Sequence, residues 1–354
     1  MARCAVTGAN GFLGAHLVRE LLRRGHAVIA LVGPDQDAHS LDGLKAELRS
    51  FDLREPASLR SALGGAESVI HSAARYDFWA ADSREIYRIN VEGTRHVLEA
   101  ARALGVKKFV HTSSAATLSP GFADDRAASG DEQAVFDASR FRGHYKMSKL
   151  MAEMLVLRAA ASGLPAVIVH PTTVLGPGDR RPTPSGSMIE HYINGRMKVF
   201  VEMAQNLVDV RDAAAGHVLA LEQAPAGARY VLGGDNVSMR ELLAILAELT
   251  GIAAPRLALP QPLLYAMGAA NEWLAKFVTG HPPIATREAA LHARDSRYLS
   301  SDKARRELGY TARPARAVLA GAVRWFAGEG RCDAQVAQRI LQRPQLAAAL
   351  HDAT

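Results

Sequence analysis

The chain has 354 residues, 48% hydrophobic and 22% charged, with a formal net charge of +6. That length means one large domain or two modest ones, and that balance excludes collagen-like, disordered and disulfide-scaffold classes. No run reaches the roughly 18 apolar residues a membrane-spanning helix needs; the best candidate, 262–279, is interrupted by Asn271, Glu272 and Lys276. The stretch before Gly8 is too short for the apolar region of a signal peptide. Cys4 and Cys332 sit at opposite ends, which argues against a disulfide framework and against a cysteine metal site, so a cytoplasmic protein without a metal is expected. The positive excess is local: from Arg294 to Arg316, seven Arg and Lys stand against three acids. Few aromatics interleave them, so the stretch reads as a solvated helical surface rather than a nucleic-acid reader, and a modest basic excess also suits an anionic small molecule.

In chain order, Arg3–Thr7 reads as a strand. A helix over 11–25 follows, with Leu13, Leu17, Val18, Leu21 and Leu22 on one face and Gly25 as its stop. Ala27–Val32 is wholly apolar, as a strand covered on both faces must be. Strands at 68–72, 108–113 and 166–170 alternate with helices at 83–104 and 145–162. Strands joined by helices give a parallel sheet with right-handed crossovers, the doubly wound α/β class. After Pro171 the pattern changes. Gly176-Pro177-Gly178-Asp179 and Pro182-Thr183-Pro184-Ser185-Gly186 mark a long loop. Short strands at 198–201, 207–210 and 230–232 then mix with helices, one of them opened by the capping box of Ser238 and Glu241. A smaller mixed α/β C-terminal lobe is expected, returning segments to the sheet. The Ala/Gln/Leu-rich helical tail, 331–354, is expected to pack on the surface.

The first strand runs directly into Thr7-Gly8-Ala9-Asn10-Gly11-Phe12-Leu13-Gly14. Gly8 allows the tight turn, Gly11 lets the backbone approach a pyrophosphate, and Gly14 lets the helix pack closely on the strand. The pyrophosphate then lies at the helix N-terminus, where unpaired N–H groups and the helix dipole favour negative charge. Asn10, Phe12 and Leu13 belong to the same cofactor-binding loop. An acid at the end of the second strand would hold the ribose 2′-OH of NAD, and an arginine the 2′-phosphate of NADP. Here Gly33-Pro34-Asp35 offers neither at the expected place. Asp35 or Asp37 reaches the ribose and repels a 2′-phosphate, a lean to NAD with NADP open. Asp52-Leu53, after a third strand, suits the adenine: the carboxylate accepts the exocyclic amine and the leucine packs on the ring. Capping of a helix by Asp52 is the plain alternative.

Tyr145-Lys146-Met147-Ser148-Lys149 sets Tyr and Lys four apart on one helix face, and Ser113-Ser114 closes the preceding strand at the sheet edge that holds ligands. A phenol with a pKa of about 10 is a poor base at neutral pH, and a neighbouring ammonium is expected to lower it. Tyr145 then exchanges a proton with a substrate oxygen, which the serine hydroxyl orients.

Together these motifs resemble the extended short-chain dehydrogenase/reductases, the NAD-dependent epimerase/dehydratase group. Thr7-Gly8-x-x-Gly11-x-x-Gly14, Asp52-Leu53, His71-Ser72-Ala73-Ala74, Asn90, Thr112-Ser113-Ser114 and Tyr145-x-x-x-Lys149 occur in the group's order. Pro171-Thr172-Thr173-Val174-Leu175-Gly176-Pro177 is similar to its nicotinamide loop, and Ser301-Asp302-Lys303-Ala304 to Glu307-Leu308-Gly309-Tyr310 to its C-terminal signature. The resemblance covers 1–330. It implies a Rossmann NAD(P)-binding domain over 1–175 and a substrate lobe over 176–330. It also implies cofactor contacts from Ser72, Ala73, Ala74, Tyr145, Lys149, Pro171 and Thr173. Ser114, Tyr145 and Lys149 become the catalytic residues.

Within the group, Tyr76-Asp77-Phe78-Trp79-Ala80, 85–95, Arg181-Pro182-Thr183-Pro184-Ser185-Gly186 and Asn206-Leu207-Val208-Asp209-Val210 resemble the hopanoid-associated sugar epimerases and the dihydroflavonol-4-reductase-like proteins. Three positions depart from those relatives: Gly33 replaces an arginine, Arg75 an acid and Asp209 a histidine, the last two expected near the substrate. Ala115-Ala116 stands where relatives that dehydrate sugar nucleotides carry Asp-Glu, and Ala116 where 3,5-epimerase/reductases carry Cys, which disfavours both reactions. Hydride exchange at a carbinol or ketone carbon remains, as in dihydroflavonol reduction or 3β-hydroxysteroid oxidation. A nucleotide-sugar 4-epimerase is the alternative, and a non-catalytic cofactor-sensing regulator the contrasting class. A sugar diphosphate would need Arg180, Arg181, Arg196 or Arg211. An apolar ring would need a mouth built from Tyr76, Phe78, Trp79, Tyr192 and the helix at 263–277. That helix leaves peripheral membrane contact open, although Gly268, Ala269 and Ala270 suit close packing better. The resemblance also implies a homodimer built through two helices.

Overall fold

The computed structural model describes the chain except residues 1, 35, 78, 80, 81, 119–128, 134–142, 282, 284, 285 and 352–354. The expectations placed on Asp35 and Phe78 therefore fall outside the described residues. Short apolar strands alternate with amphipathic helices along the first half: β1 (Arg3–Thr7), α1 (Phe12–Arg23), β2 (Ala27–Val32), β3 (Glu47–Ser50), α2 (Pro56–Leu63), β4 (Ser68–His71), α3 (Arg84–Tyr87), α4 (Gly93–Ala103), β5 (Lys108–Thr112), α5 (His144–Ala161) and β6 (Ala166–Pro171). The helix expected over 83–104 is interrupted by a π-helical turn, Arg88–Glu92, which carries the buried Asn90. The second half continues with β7 (Thr173–Leu175), α6 (Pro184–Ile193), β8 (Val199–Phe200), β9 (Ala204–Asp209), α7 (Val210–Gln223), β10 (Arg229–Leu232), β11 (Asp235–Ser238), α8 (Met239–Thr250) and β12 (Leu257–Ala258). Helices close the chain: α9 (Gln261–Leu274), α10 (Arg287–Asp295), α11 (Asp302–Leu308), α12 (Ala315–Gly328), α13 (Ala334–Leu341) and α14 (Pro344–His351).

Seven strands form one parallel sheet in the order β3-β2-β1-β4-β5-β6-β10. This is the expected doubly wound class. β1 lies between β2 and β4, so the chain reverses its winding there, and a crevice opens at the carboxyl ends of those strands. One face of the sheet is covered by α1, α7 and α11, with Leu17, Leu21, Val218 and Leu308 in the core. The other is covered by α2, α4 and α5, with Leu59, Val97 and Val156 buried. Covering on both faces explains why β2 and β6 carry almost no polar side chain.

The smaller lobe joins β7, β9 and β11, with β7 and β9 parallel and β11 and β9 antiparallel. α6, α8 and α12 pack there around Ile189, Leu246, Leu319 and Phe326. Ser238 opens α8 with both halves of its capping box formed. The tail helices α13 and α14 insert Ile340 and Leu346 into the same core, so the described part of the tail is packed against this lobe. Gly268 on α9 touches the backbone of Thr286 and Arg287, where a Cβ would come within 2.6 Å, while Leu263 and Trp273 on the helix and Phe277 in the turn after it stay exposed. Among the described residues, no helix is long and apolar enough to cross a membrane.

Candidate active site

Close backbone approach builds the cofactor end. Gly8 has φ +69, and a Cβ on it would lie 2.9 Å from Ala73 Cα. A Cβ on Gly14 would lie 2.0 Å from the Gly8 carbonyl oxygen. The turn, the first turn of α1 and the 72–74 segment therefore press together with no room for side chains. Gly11 is the extended N-cap of α1, which has no capping side chain and no acid in its first turn. Its first amides and the positive end of its dipole are left for an anionic group. The glycine cradle and the uncapped helix fit a dinucleotide.

Thr7 locks the next segment. Its hydroxyl accepts from the amides of Ser72 and Ala73, both at 3.1 Å, and lies 2.8 Å from His71 Nδ1. Thr94 donates to the Asn90 carbonyl, so it accepts from His71 Nε2, and Thr7 donates to Nδ1. Burial pushes the His71 pKa down to about 3, in keeping with that neutral ring. At the adenine end the Asp52 carboxylate pairs with Arg54 at 2.7 Å, and this guanidinium holds it below its ordinary pKa. Glu55, not Asp52, is the N-cap of α2. Asp37 accepts from the His39 amide, and the β2 end of the cavity is lined by Gly33, Pro34 and Gln36.

Four contacts hold α5 over the end of β5. The Glu288 carboxylate, from α10, accepts from the amides of His144 and Tyr145 at 3.0 and 2.8 Å, capping α5 at its first turn. Gly143, at φ +100, makes room for it, since a Cβ there would lie 2.7 Å from a Glu288 oxygen. Asn90 donates to Ser148 Oγ at 2.9 Å and pairs with the Arg75 backbone. Lys149 Nζ donates to the Thr112 carbonyl at 2.6 Å. Glu153, one turn on, is bonded to Ser113.

Within this frame the Ser114 hydroxyl hydrogen-bonds the Tyr145 phenol, and the Tyr76 ring lies 4.7 Å from that of Tyr145, tilted by 44°. The phenol does not behave as the Tyr/Lys spacing predicted. Burial raises its pKa to about 12, with the Ser114 hydrogen bond opposing. Burial also pulls Lys149 down to about 8, with Glu153 opposing. Burial is the largest influence on both groups, and the opposing influences come from Ser114 on the phenol and Glu153 on the lysine.

One cavity of about 1310 Å³ runs between these two ends. Every residue expected at the cofactor and catalytic positions, from Gly8 to Thr173, lines it. Its wall also carries Met188, Met197, Met203 and Met239, interleaved with polar and charged side chains that include Arg181, His191, Gln205, His292, Asp295 and Arg297. Thr173 donates to Gln205 at 2.7 Å. The methionines come from three separate stretches of chain and had no sequence signal.

Other substrate-side expectations are corrected. Tyr192 is buried in the smaller lobe's core, its hydroxyl donating to the Ile252 carbonyl, so it builds no mouth. Asp209 is a buried N-cap of α7 that binds Arg211 through two side-chain hydrogen bonds, and it does not line the cavity. Of the four arginines considered for a diphosphate, Arg181 is the one lining the cavity.

Comparisons with known proteins agree with this arrangement. The model of the NAD dependent epimerase/dehydratase family matches residues 4–233. Sterol demethylase protein B of Methylococcus capsulatus is 36% identical over 330 residues, 92% of this chain and 98% of that protein. A 2-alkyl-3-oxoalkanoate reductase of Stenotrophomonas maltophilia is 32% identical over 86% of this chain and 93% of its own. The crystal structure of gox2253 superposes with a TM-score of 0.82 at 40% identity, covering 94% of this chain and 100% of that one.

The cradle makes a direct prediction. Gly14→Ala drives a methyl into the Gly8 carbonyl, so the NADH Kd from fluorescence titration should rise at least tenfold, about 1.4 kcal/mol. Circular dichroism checks that the variant is folded, and a folded variant with the wild-type Kd contradicts the cradle.

Proposed function

The chain belongs to the NAD dependent epimerase/dehydratase family, the extended short-chain dehydrogenase/reductases, and from that premise we propose that it oxidises or reduces a carbinol or ketone carbon of an apolar small molecule, bound NAD(P) supplying or taking the hydride. It is an NAD(P)-dependent enzyme of the oxidoreductase/epimerase type. The observation that carries the reading is the Tyr145–Ser114 hydrogen bond, lying between the glycine cradle and a methionine-lined chamber. Ser114 orients the substrate oxygen. Tyr145 gives that oxygen a proton on reduction and takes one on oxidation. Lys149 holds the ribose and sets the charge beside the phenol. Gly8, Gly11 and Gly14 admit the pyrophosphate, and Ser72, Ala73, Ala74, Pro171 and Thr173 flank the dinucleotide.

The chamber supports an apolar substrate. Methionines adapt to irregular apolar shapes and offer nothing to a phosphate. Two relatives carry a sterol and an alkyl oxoacid in their names. The 4-epimerase alternative needs a diphosphate held by cations; Arg211 is engaged with Asp209 away from the cavity, which leaves Arg181 as the one of the four candidate arginines that lines it. For the cofactor, Gly33 and Pro34 at the end of β2 bring no arginine to a 2′-phosphate, and Arg54 is engaged with Asp52, which favours NAD. Met151, Met154 and Leu157 are exposed on α5, a face suited to a homodimer.

Three measurements test these statements. With a panel of alkyl and polycyclic ketones and NADH, Tyr145→Phe should lower kcat about a hundredfold or more; undiminished turnover overturns the reading. Calorimetry should find NAD bound at least as tightly as NADP; a tenfold preference for NADP, about 1.4 kcal/mol, reverses the cofactor assignment. Light scattering after gel filtration should give a dimer that Met154→Asp converts to monomer, and a monomeric wild type rejects that interface.

A further inference from the structure

A buried carboxylate behind the site is used by none of the steps above. Glu153 is 2% exposed and sits one helical turn beyond Lys149 on α5. Four side chains converge on it. The hydroxyls of Ser113 and Thr117 lie 2.6 and 2.8 Å from its Oε2, and His170 Nε2 lies 3.0 Å from the same oxygen. Arg229 reaches its Oε1 at 2.9 Å. These partners come from the turn after β5, from β6 and from β10. A buried ion is tolerated only when its lone pairs are satisfied and a counter-charge stands close. Glu153 meets both conditions, and it does so by joining the elements that carry the reactive groups.

Ser113 and Thr117 bracket Ser114, whose backbone opens the short turn Ala115–Thr117. The Thr117 hydroxyl also lies 2.8 Å from the Ser114 carbonyl. His170 directly precedes Pro171, which lines the cavity. We infer that Glu153 is a positioning residue: it ties the Ser114 turn and the Pro171 strand end to the helix bearing Tyr145 and Lys149, and its fixed negative charge keeps the Lys149 ammonium protonated. The inference rests on the reading of Tyr145 and Lys149 given above.

The surroundings leave few other charges. Facing Lys149 are His71 on β4, His111 on β5 and His217 on α7, and burial lowers the pKa of all three, His71 to about 3 and His217 to about 4. Facing Glu153 are His170 on β6 and Arg229 on β10. The Glu132 carboxylate accepts from the Val231 amide beside Arg229. Tyr145 stays protonated at neutral pH because burial raises it. Glu153, one turn along the same helix, is the anion that favours the charged form of Lys149, and burial of the lysine works in the opposite direction. Removing the carboxylate charge should therefore let the ammonium lose its proton at lower pH. Removing the Arg229 cation should do the reverse.

The test needs no substrate. Lysine labelled with carbon-13 at the ε position is incorporated into the full chain, and the Lys149 signal is assigned by its loss in Lys149→Met. Its titration is then followed in wild type, Glu153→Gln and Arg229→Gln. The midpoint should fall by about half a pH unit or more in Glu153→Gln and rise in Arg229→Gln. Glutamine keeps the shape and, with its amide oxygen in the place of Oε2, an acceptor for Ser113, Thr117 and His170, while the contact with Arg229 is lost; an unchanged midpoint in both variants overturns the inference. If Glu153→Gln does not fold, Arg229→Gln decides alone: a rise supports the inference, and no rise rejects it. Should the midpoints stay put while Tyr145→Phe still abolishes turnover, only this inference fails. Should Tyr145→Phe keep its turnover, the reading of the site fails instead.

Discussion

The hydrogen bond from Ser114 to Tyr145 joins two elements that have no local reason to meet, the end of β5 and the first turn of α5. Much of the surrounding structure serves to hold that meeting in place. Glu288 caps α5 from α10, and Asn90 ties its first turns to the segment after β4. Lys149 pins the next turn to the Thr112 carbonyl, and Glu153 pins the one after it to Ser113. Successive turns of one helix are each fastened to a different neighbour. A helix held in this way cannot slide or roll without breaking several buried bonds at once, so the phenol is presented in a fixed place.

The same logic explains where the cavity lies. A parallel sheet whose winding reverses at β1 leaves a crevice at the carboxyl ends of β1 and β4. Glycines at 8 and 14 bring the turn and helix close enough to line it with backbone alone. Further along the sheet, Ser114 stands just past the end of β5 and β6 ends at Pro171, so a single edge supplies a cradle at one end and the proposed catalytic serine at the other.

Much of this was legible in the sequence because its causes are local. Wholly apolar short runs such as Ala27–Val32 announce strands covered on both faces, glycines at fixed offsets announce a backbone-lined turn, and Ser238 with Glu241 announces a helix start. The unread parts depend on distant chain segments. Glu288 caps α5 from 143 residues away, and Arg229 meets Glu153 only because β10 returns to the sheet. The methionine chamber collects side chains from α6, the start of α8 and the loops around β8. Tyr192 and Asp209 show the complementary error: an aromatic and a charge near motif residues in sequence were drawn into a core and a helix cap instead.

The reversal of the phenol's expected titration has the same origin. Spacing places an ammonium near a phenol, and in water that alone would favour the phenolate. Burial changes the balance, because it penalises every charged form in the pocket, raising Tyr145 and lowering Lys149 together. With Tyr145 and Lys149 both pushed toward neutrality, a charge survives there only where a fixed counter-charge holds it, and the Glu153 carboxylate one turn along α5 supplies one, itself kept ionised against its burial by His170, Ser113 and Arg229. The ammonium therefore leans on Glu153 rather than on a phenolate. Burial keeps Tyr145 in the protonated form at neutral pH, the form that a ketone oxygen draws on when it becomes an alcohol, while the same raised pKa makes that proton harder to release.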